Sequence, residues 1–495
     1  MKFALKILCL VVVAAMLTVP AFAADEKQEA VKTGQQASEQ VTQYTGEDIP
    51  APHTHMFYDA DWLDKFHNPT EGVELGLDFR FREVYAENYT TLDKDFPAAD
   101  NYAHYQRYRT RMSGKFNLSP DVDLNTRLVW EFFTWEKPST RPQSTEFDEV
   151  LFDRLNFTFR NAFDMPLTIV VGRQDIILGN GWLVLEGTPA DGSRTIHFDA
   201  VRATYDLQDE GDKLDLIYVQ NYDKENKWLK PFSYNDARHF TQGQDERGAI
   251  VYWTNKLGPK AQTEAYYIYK EDRRSPRAAA TVPNAEIHTF GGALQDAIDQ
   301  NWSYRAELAK QFGQKGQTDL NAMAFNGRLK YSFNNECQSA VFMDYEYLSG
   351  DRPGTGNDEA FDTLWGDYPQ AQRGGDLPIY VWVGESGNLG QMTNFHRLGF
   401  GHYFKPHEKW SLETLYNLYW ADDNTLAAGA TGGGGFPTYG SGRFRGQMFT
   451  AYLKYRCCAQ LNAHFLVDYF VPGDFYADNS RDHGLFARFN VQYTF

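Results

Sequence analysis

The sequence predicts an all-β protein: a transmembrane antiparallel β-barrel of 18 strands with short periplasmic turns and long extracellular loops. Three observations predict it. From residue 73 onward, apolar residues recur at every second position, as in strands whose two faces meet different surroundings. The connections between these strands alternate between short and long, as in bacterial outer-membrane barrels. Aromatic residues make up 16% of the chain, and several apolar faces carry Trp or Tyr near their ends, as interfacial girdles do.

The chain begins with a predicted signal peptide over residues 1–23. Lys2 and Lys6 form a basic start, an apolar stretch follows, and Ala21-Phe22-Ala23 has the small residues of a cleavage site. Residues 24–70 are polar and predict a periplasmic N-terminal segment with at most a short helix near 59–66. The barrel is expected over residues 71–495, in the outer membrane, with both termini on the periplasmic side.

The C-terminal strand shows the alternation most clearly. Leu485, Ala487 and Phe489 lie on one predicted face, and Arg488 and Asn490 lie on the other. Eighteen such segments start near residues 73, 104, 122, 150, 166, 195, 213, 247, 261, 285, 301, 320, 337, 393, 409, 444, 460 and 484. A secreted β-sandwich or propeller is the rival interpretation, but strands in globular proteins average only about 5–6 residues.

Composition excludes several other classes of protein. After the signal peptide, no apolar stretch approaches the ~20 residues of a membrane-spanning helix. The net charge of −18 argues against a nucleic-acid partner. The mature chain keeps Cys337, Cys457 and Cys458, which form no disulfide framework and no zinc-ligand spacing. The sequence therefore predicts neither a metal nor a cofactor.

Four segments of the sequence resemble a known family. They are Gly172–Gly179 (GRQDIILG), Arg194–Arg202 (RTIHFDAVR), Leu348–Asp351 (LSGD) and Phe470–Tyr476 (FVPGDFY). Together they resemble the signature of the alginate export porin family, over roughly residues 70–495. The resemblance implies a monomeric 18-stranded outer-membrane barrel that conducts a polysaccharide or its fragments.

Seven arginines are predicted to share one wall of the lumen. Arg107, Arg109 and Arg111 alternate along one strand, and an arginine facing lipid at mid-bilayer would cost about 2–4 kcal/mol. The complete set is Arg80, Arg82, Arg107, Arg109, Arg111, Arg127 and Arg488. One interpretation is a basic track for anionic sugars, since guanidinium groups match carboxylates. The other is an internal ion-pair network with Glu74, Asp78, Asp123 and Glu131 on the same strands. The luminal face is expected to carry more basic than acidic residues.

Two long connections are candidates for folding inward and narrowing the pore. They span residues 175–194 and 348–392, and their candidate constriction residues are Trp182, Glu186, Trp365, Asp367, Tyr380 and Trp382. Long loops of this kind often hold ligands or form lids. A surface flap is the alternative for 348–392.

These observations favour a passive outer-membrane channel for an anionic polysaccharide or oligosaccharide. A general or sugar-uptake diffusion porin is the alternative, and an outer-membrane enzyme or an adhesin barrel is less favoured. No G-x-S-x-G nucleophile motif occurs, so no enzyme activity is predicted. The expected partners are outer-membrane lipid, the barrel-assembly machinery and the sugar cargo. The sequence leaves the direction of transport open.

Overall fold

The structure, a computed structural model, describes most of the chain beyond the predicted signal peptide and polar segment. The described residues are 60–96, 101–139, 141, 149–186, 197–207, 211–223, 229–232, 244–257, 261–274, 283–366, 376–382, 392–426, 437–458 and 460–494. The predicted signal peptide, Asp367 and Phe495 lie outside them.

Eighteen long strands form the main sheet, as the sequence predicted. Their bounds are β1 Val73–Glu87, β2 Tyr102–Ser119, β3 Val122–Lys137, β4 Glu149–Phe159, β5 Leu167–Gln174, β6 Phe198–Asp206, β7 Lys213–Asn221, β8 Gln244–Lys256, β9 Gln262–Arg274, β10 Ala285–Ala297, β11 Trp302–Lys315, β12 Thr318–Ser332, β13 Ala340–Leu348, β14 Phe395–His407, β15 Trp410–Trp420, β16 Phe444–Arg456, β17 Leu461–Pro472 and β18 Gly484–Thr494.

The sheet closes on itself into a barrel. Each strand pairs antiparallel with its neighbours in sequence, and β18 also pairs with β1, where Tyr493 lies opposite Phe79. Closure leaves no unpaired edge, which is the condition for a sheet to cross lipid. The fold class predicted from the alternation is therefore confirmed.

The two faces of the barrel differ as the alternation requires. On β1 and β2 the outward side chains include Phe79 and Met112, which are 45% and 57% exposed. Their inward neighbours Asp78, Arg80 and Arg109 are buried. The exposed apolar side chains suit a hydrocarbon environment, whereas the buried charged side chains suit only an enclosed interior.

The connection between β11 and β12 is a short one on the side of the long loops, so it breaks the regular alternation of loop lengths. β11 ends at Lys315 and β12 begins at Thr318, so only two residues join them on the side of the long loops. Gly316 has a φ of 64°, the left-handed conformation that a tight hairpin turn demands and glycine adopts without strain.

Helices are few and short in the described part of the chain. α1 (Ala60–His67) precedes β1, within one residue of its predicted position. α2 (Leu377–Val381) belongs to the long connection between β13 and β14. No helix among the described residues is long and apolar enough to cross a membrane.

The lumen contains packed protein from the two long connections that the sequence marked as candidates for folding inward. Inside the barrel, the short strands Ile176–Ile177, Val184–Glu186 and Trp365–Gly366 form a separate three-stranded sheet. Their apolar side chains join inward residues of the wall in one buried cluster. Chain from the two long connections therefore occupies part of the space that the wall side chains leave.

Candidate functional site

The predicted arginine wall exists, and its residues form rows across three strands. In the register between β1 and β2, Arg80 lies directly opposite Arg109, and Arg82 lies directly opposite Arg107. One row further from the long loops, Arg111 lies opposite Asp78. We call these five arginines, Arg80, Arg82, Arg107, Arg109 and Arg111, the arginine block.

Two carboxylates of the wall contact the block. Asp78 Oδ1 accepts hydrogen bonds from Arg109 Nη2 at 3.1 Å and from Arg111 Nε at 3.0 Å. Glu131, on β3 opposite Arg109, forms an ion pair with Arg107. The predicted ion-pair network is therefore present for two of its four acids, whereas Glu74 pairs with Lys115 and Asp123 pairs with Arg160.

The arginine block concentrates five like charges on one wall. Among the described residues, Asp78 pairs with Arg109 and Arg111, and Glu131 pairs with Arg107. Like charges directly opposite on neighbouring strands destabilise a sheet, and Arg80–Arg109 and Arg82–Arg107 are two such pairs. Arg80 and Arg109 are each 1% exposed, so water does not screen them effectively.

Arg127 and Arg488 lie at the borders of the block and bind carboxylates that come from inward-folded chain. Arg127 grips Asp175 with both terminal nitrogens, each at 3.0 Å from a different carboxylate oxygen. Its Nε donates to Asp153 at 2.7 Å. Arg488 forms a buried ion pair with Asp376. Asp175 and Asp376 belong to the two connections that enter the lumen.

The first inward segment follows β5 and contains two of the predicted constriction residues. Trp182 is 1% exposed, and its Nε1 donates to Glu346 on β13 at 2.9 Å. Its ring stacks on Phe361 of the other inward segment, with centroids 6.2 Å apart. Glu186 ends the short strand that pairs with Ile176. This segment is thus fastened to the opposite wall.

The second inward segment lies between β13 and β14. Trp365 Nε1 donates to Glu246 on β8 at 3.0 Å. Its ring covers Gly248, where an added Cβ would come within 2.2 Å of the ring, so the site requires glycine. The backbone N–H of Asp362 donates a hydrogen bond to Gln311 Oε1 at 2.9 Å. The surface-flap interpretation is wrong for these residues, because they pack inside the barrel.

The C-terminal part of the same segment contains Tyr380 and Trp382. The Tyr380 ring lies edge-on to Tyr89 at 5.2 Å, and Trp382 Nε1 donates to the hydroxyl of Tyr476 at 2.8 Å. Asp468 on β17 fastens the start of α2, because its Oδ2 accepts the backbone N–H groups of Asp376 at 2.6 Å and Leu377 at 3.1 Å.

Sequence reasoning missed several buried luminal charges. Arg445 lies over the rings of Trp382 and Phe475, and Arg397 donates to Glu346 at 3.2 Å. Lys270, which is 1% exposed, contacts three carboxylates. Buried acids that were overlooked include Asp153, Asp215, Glu246 and Asp272. These residues add luminal charge of both signs, so the excess of basic residues over the whole lumen stays a prediction.

Metal-ligating side chains converge at one place among the described residues. Glu83, His104 and Glu136 offer ligand atoms within 4.8 Å of one another. The three side chains lie on the outward face of β1, β2 and β3. The cluster is therefore separate from the lumen.

Comparison with known proteins supports the fold and the family. The model of the alginate export family matches residues 71–487. Pseudomonas aeruginosa OpdQ is similar with a TM-score of 0.52 at 12% identity, covering 86% of this chain and 99% of that chain. Pseudomonas aeruginosa OpdO gives 0.52 at 12%, covering 86% and 98%. Pseudomonas aeruginosa OccK7 (OpdD) gives 0.51 at 12%, covering 86% and 99%. At such identities the likeness shows the fold alone. No curated protein matches the chain.

Proposed function

The chain belongs to the alginate export family, and from that premise we propose that it passes an anionic polysaccharide or its oligosaccharides through the outer membrane without an energy source. Family and closed barrel together make it an outer-membrane channel protein. Beyond this, we propose that the cargo is anionic and that the arginine block binds it.

The arginine block is the observation that carries the proposal. It places five guanidinium groups on one luminal wall, where Asp78 and Glu131 pair with three of them. A uronate polymer carries one carboxylate on each sugar and can bind along such a row of guanidinium groups. Guanidinium groups bind such carboxylates through two parallel hydrogen bonds, which gives orientation as well as attraction.

The protein already contains carboxylates bound by the arginines that border the block. Asp175 sits in the fork of Arg127, and Asp376 pairs with Arg488. Both acids belong to inward-folded connections, and both arginines border the block. A carboxylated cargo is expected to compete for these arginines and to displace the two segments. Because the block is buried, cargo is expected to reach it only after these two segments move away.

Ion selectivity in planar bilayers tests the proposal. Arg80→Gln/Arg82→Gln removes two positive charges, whereas Arg107→Gln/Glu131→Gln removes one charge of each sign from the same wall. The first variant is expected to shift the reversal potential in a salt gradient toward cation preference. The second is expected to stay near the wild type, because the net charge of the wall is unchanged. Arg202→Gln, which alters a luminal ion pair with Asp215 outside the wall, is the matched control.

The result that contradicts the proposal is equally definite. If Arg80→Gln/Arg82→Gln folds and keeps the wild-type selectivity, the arginines only stabilise the wall. A general diffusion porin would then be favoured, and charged and neutral sugars would permeate according to size.

A further inference from the structure

A polar cluster lies on the outer surface of the barrel, where lipid-facing residues are expected. Glu83, His104 and Gln106 alternate with inward residues of β1 and β2, and Glu136 lies near the end of β3. They share the outward face with Phe79 and Met112. We call Glu83, His104, Gln106 and Glu136 the rim cluster.

Neighbouring aromatics give the height of the rim cluster in the membrane. Phe81, Tyr108 and Phe132 form a continuous aromatic patch, with Tyr108 and Phe132 stacked at 4.8 Å and Phe81 at 5.4 Å from Tyr108. The next row toward the long loops pairs Glu83 with Gln106. Aromatic belts mark the boundary between hydrocarbon and headgroups. The rim cluster therefore lies in the extracellular headgroup layer.

The imidazole of His104 is held between two carboxylates. Its Nε2 lies 2.5 Å from Glu83 Oε1, and its Nδ1 lies 2.8 Å from Glu136 Oε2. Gln106 Nε2 donates to a carboxylate oxygen of both glutamates at 3.1 Å. A neutral imidazole has a single N–H, so it can donate to only one of the two carboxylates. The other ring nitrogen then offers the lone pair with which a neutral imidazole ligates a metal ion.

We propose that the rim cluster is a binding site for a divalent transition-metal ion of the Zn²⁺ type, with Glu83, His104 and Glu136 as its ligands. The three ligand atoms lie within 4.8 Å of one another, so small side-chain movements bring them onto one ion. Glu83, His104 and Glu136 come from β1, β2 and β3, and the bound ion clamps these three strands at their extracellular ends.

The ligand set selects the class of metal. Calcium and magnesium prefer oxygen ligands alone, whereas one imidazole nitrogen with two carboxylates suits zinc and neighbouring transition metals. Three protein ligands leave a fourth position for water or another oxygen donor. Gln106 donates to both glutamates and positions them, as outer hydrogen bonds do in metal sites.

Zinc binding by the full-length protein in detergent micelles tests the proposal. Metal-stripped protein without a histidine tag is titrated with ZnCl₂ at pH 7.5, and bound zinc is measured after dialysis. The wild type is expected to retain one zinc ion that His104→Gln loses. Loss of a ligand should weaken binding by more than the ~10–100-fold that loss of an outer-shell partner costs. His288→Gln is the matched control, because His288 also faces outward and contacts Tyr267 through its Nδ1.

Acidic pH provides a second readout. Because the ligands must be deprotonated, lowering the pH to 5.5 should release zinc from the wild type. The other titratable groups around the cluster are Tyr85 and Glu87 on β1, Tyr102 on β2 and Lys137 on β3, which lies opposite His104. None of them is replaced in the test variants, so their contribution is common to all.

Further variants separate the outcomes. Glu136→Gln alters an exposed side chain and keeps the test decisive if His104→Gln fails to assemble. His53→Gln/His55→Gln removes two of the three histidines of residues 24–70 and is expected to keep the bound zinc. The proposal is overturned if the wild type retains no zinc, if His104→Gln and Glu136→Gln both retain it, or if only the His53/His55 variant loses it.

Discussion

The ion pair between Arg488 and Asp376 is expected to hold the second inward segment against the barrel wall. The two side chains are 3% and 7% exposed, and Asp468 accepts the backbone N–H groups of Asp376 and Leu377 beside them. Arg488→Gln leaves Asp376 buried without its cationic partner. Breaking a buried ion pair in this way costs about 3–5 kcal/mol.

That cost translates into a measurable change in pore opening. Since 1.4 kcal/mol corresponds to a tenfold change in an equilibrium, the detached state of the segment should gain roughly 10²–10⁴-fold in population. Single-channel recording in planar bilayers should show a higher open probability for Arg488→Gln than for the wild type. Arg488→Gln/Asp376→Asn removes both charges and should return most of the way to wild-type behaviour, since no buried charge is left unpaired.

Two results with these variants would contradict the prediction. Heat-modifiable migration on gels confirms that each variant has assembled as a barrel. If Arg488→Gln assembles and conducts like the wild type, the ion pair does not hold the segment. If the double variant is as perturbed as Arg488→Gln, the effect comes from loss of the arginine itself and not from the unpaired carboxylate.

Three other predictions concern the fold. Trp182→Phe removes the hydrogen bond to Glu346 and should lower stability by about 1–3 kcal/mol, seen as a lower midpoint of heat modification; an unchanged midpoint would contradict it. Burial alone would raise the pKa of Asp422, but hydrogen bonds from His396 and the Gly350 N–H lower it overall. Its stabilisation is therefore present at neutral pH and is lost as the pH falls through the lowered pKa. In the wild type, protection of residues 349–366 from acid-active proteases should decrease as the pH falls through this pKa. Asp422→Asn should show reduced protection already at neutral pH and little further loss on acidification. Deleting residues 493–495 removes residue pairs between β18 and β1 that close the barrel, so the fraction of assembled protein should fall. An assembled fraction equal to that of the wild type would contradict this prediction.

The strands could be predicted from the sequence because lipid outside and a polar wall inside impose a strict period of two. The same alternation placed Arg107, Arg109 and Arg111 in the lumen, where the structure has them. It failed where the inner face is also apolar. On β14, Phe395 is buried and His396 is not, which reverses the polar-in, apolar-out order that Arg397 and Leu398 follow.

The inward segments could not be located from local sequence, because contacts with distant strands fix their positions. Trp182 finds its partner Glu346 and Trp365 finds Glu246 only in the closed barrel. Arg445 lies beside an irregularity in the pairing of β15 with β16, between Tyr419 and Trp420, which shifts the register that assigns faces. Such shifts flip side chains from one face to the other.

The central claim is that the arginine block binds carboxylated sugars, and current block in planar bilayers tests it most directly. Uronate oligomers and neutral oligomers of the same length are added to wild-type channels and to Arg80→Gln/Arg82→Gln channels. Tight block of the wild type by the uronates, weakened in the variant while block by the neutral sugars stays the same, is the predicted result. Equal block of the wild type by charged and neutral oligomers would contradict the claim.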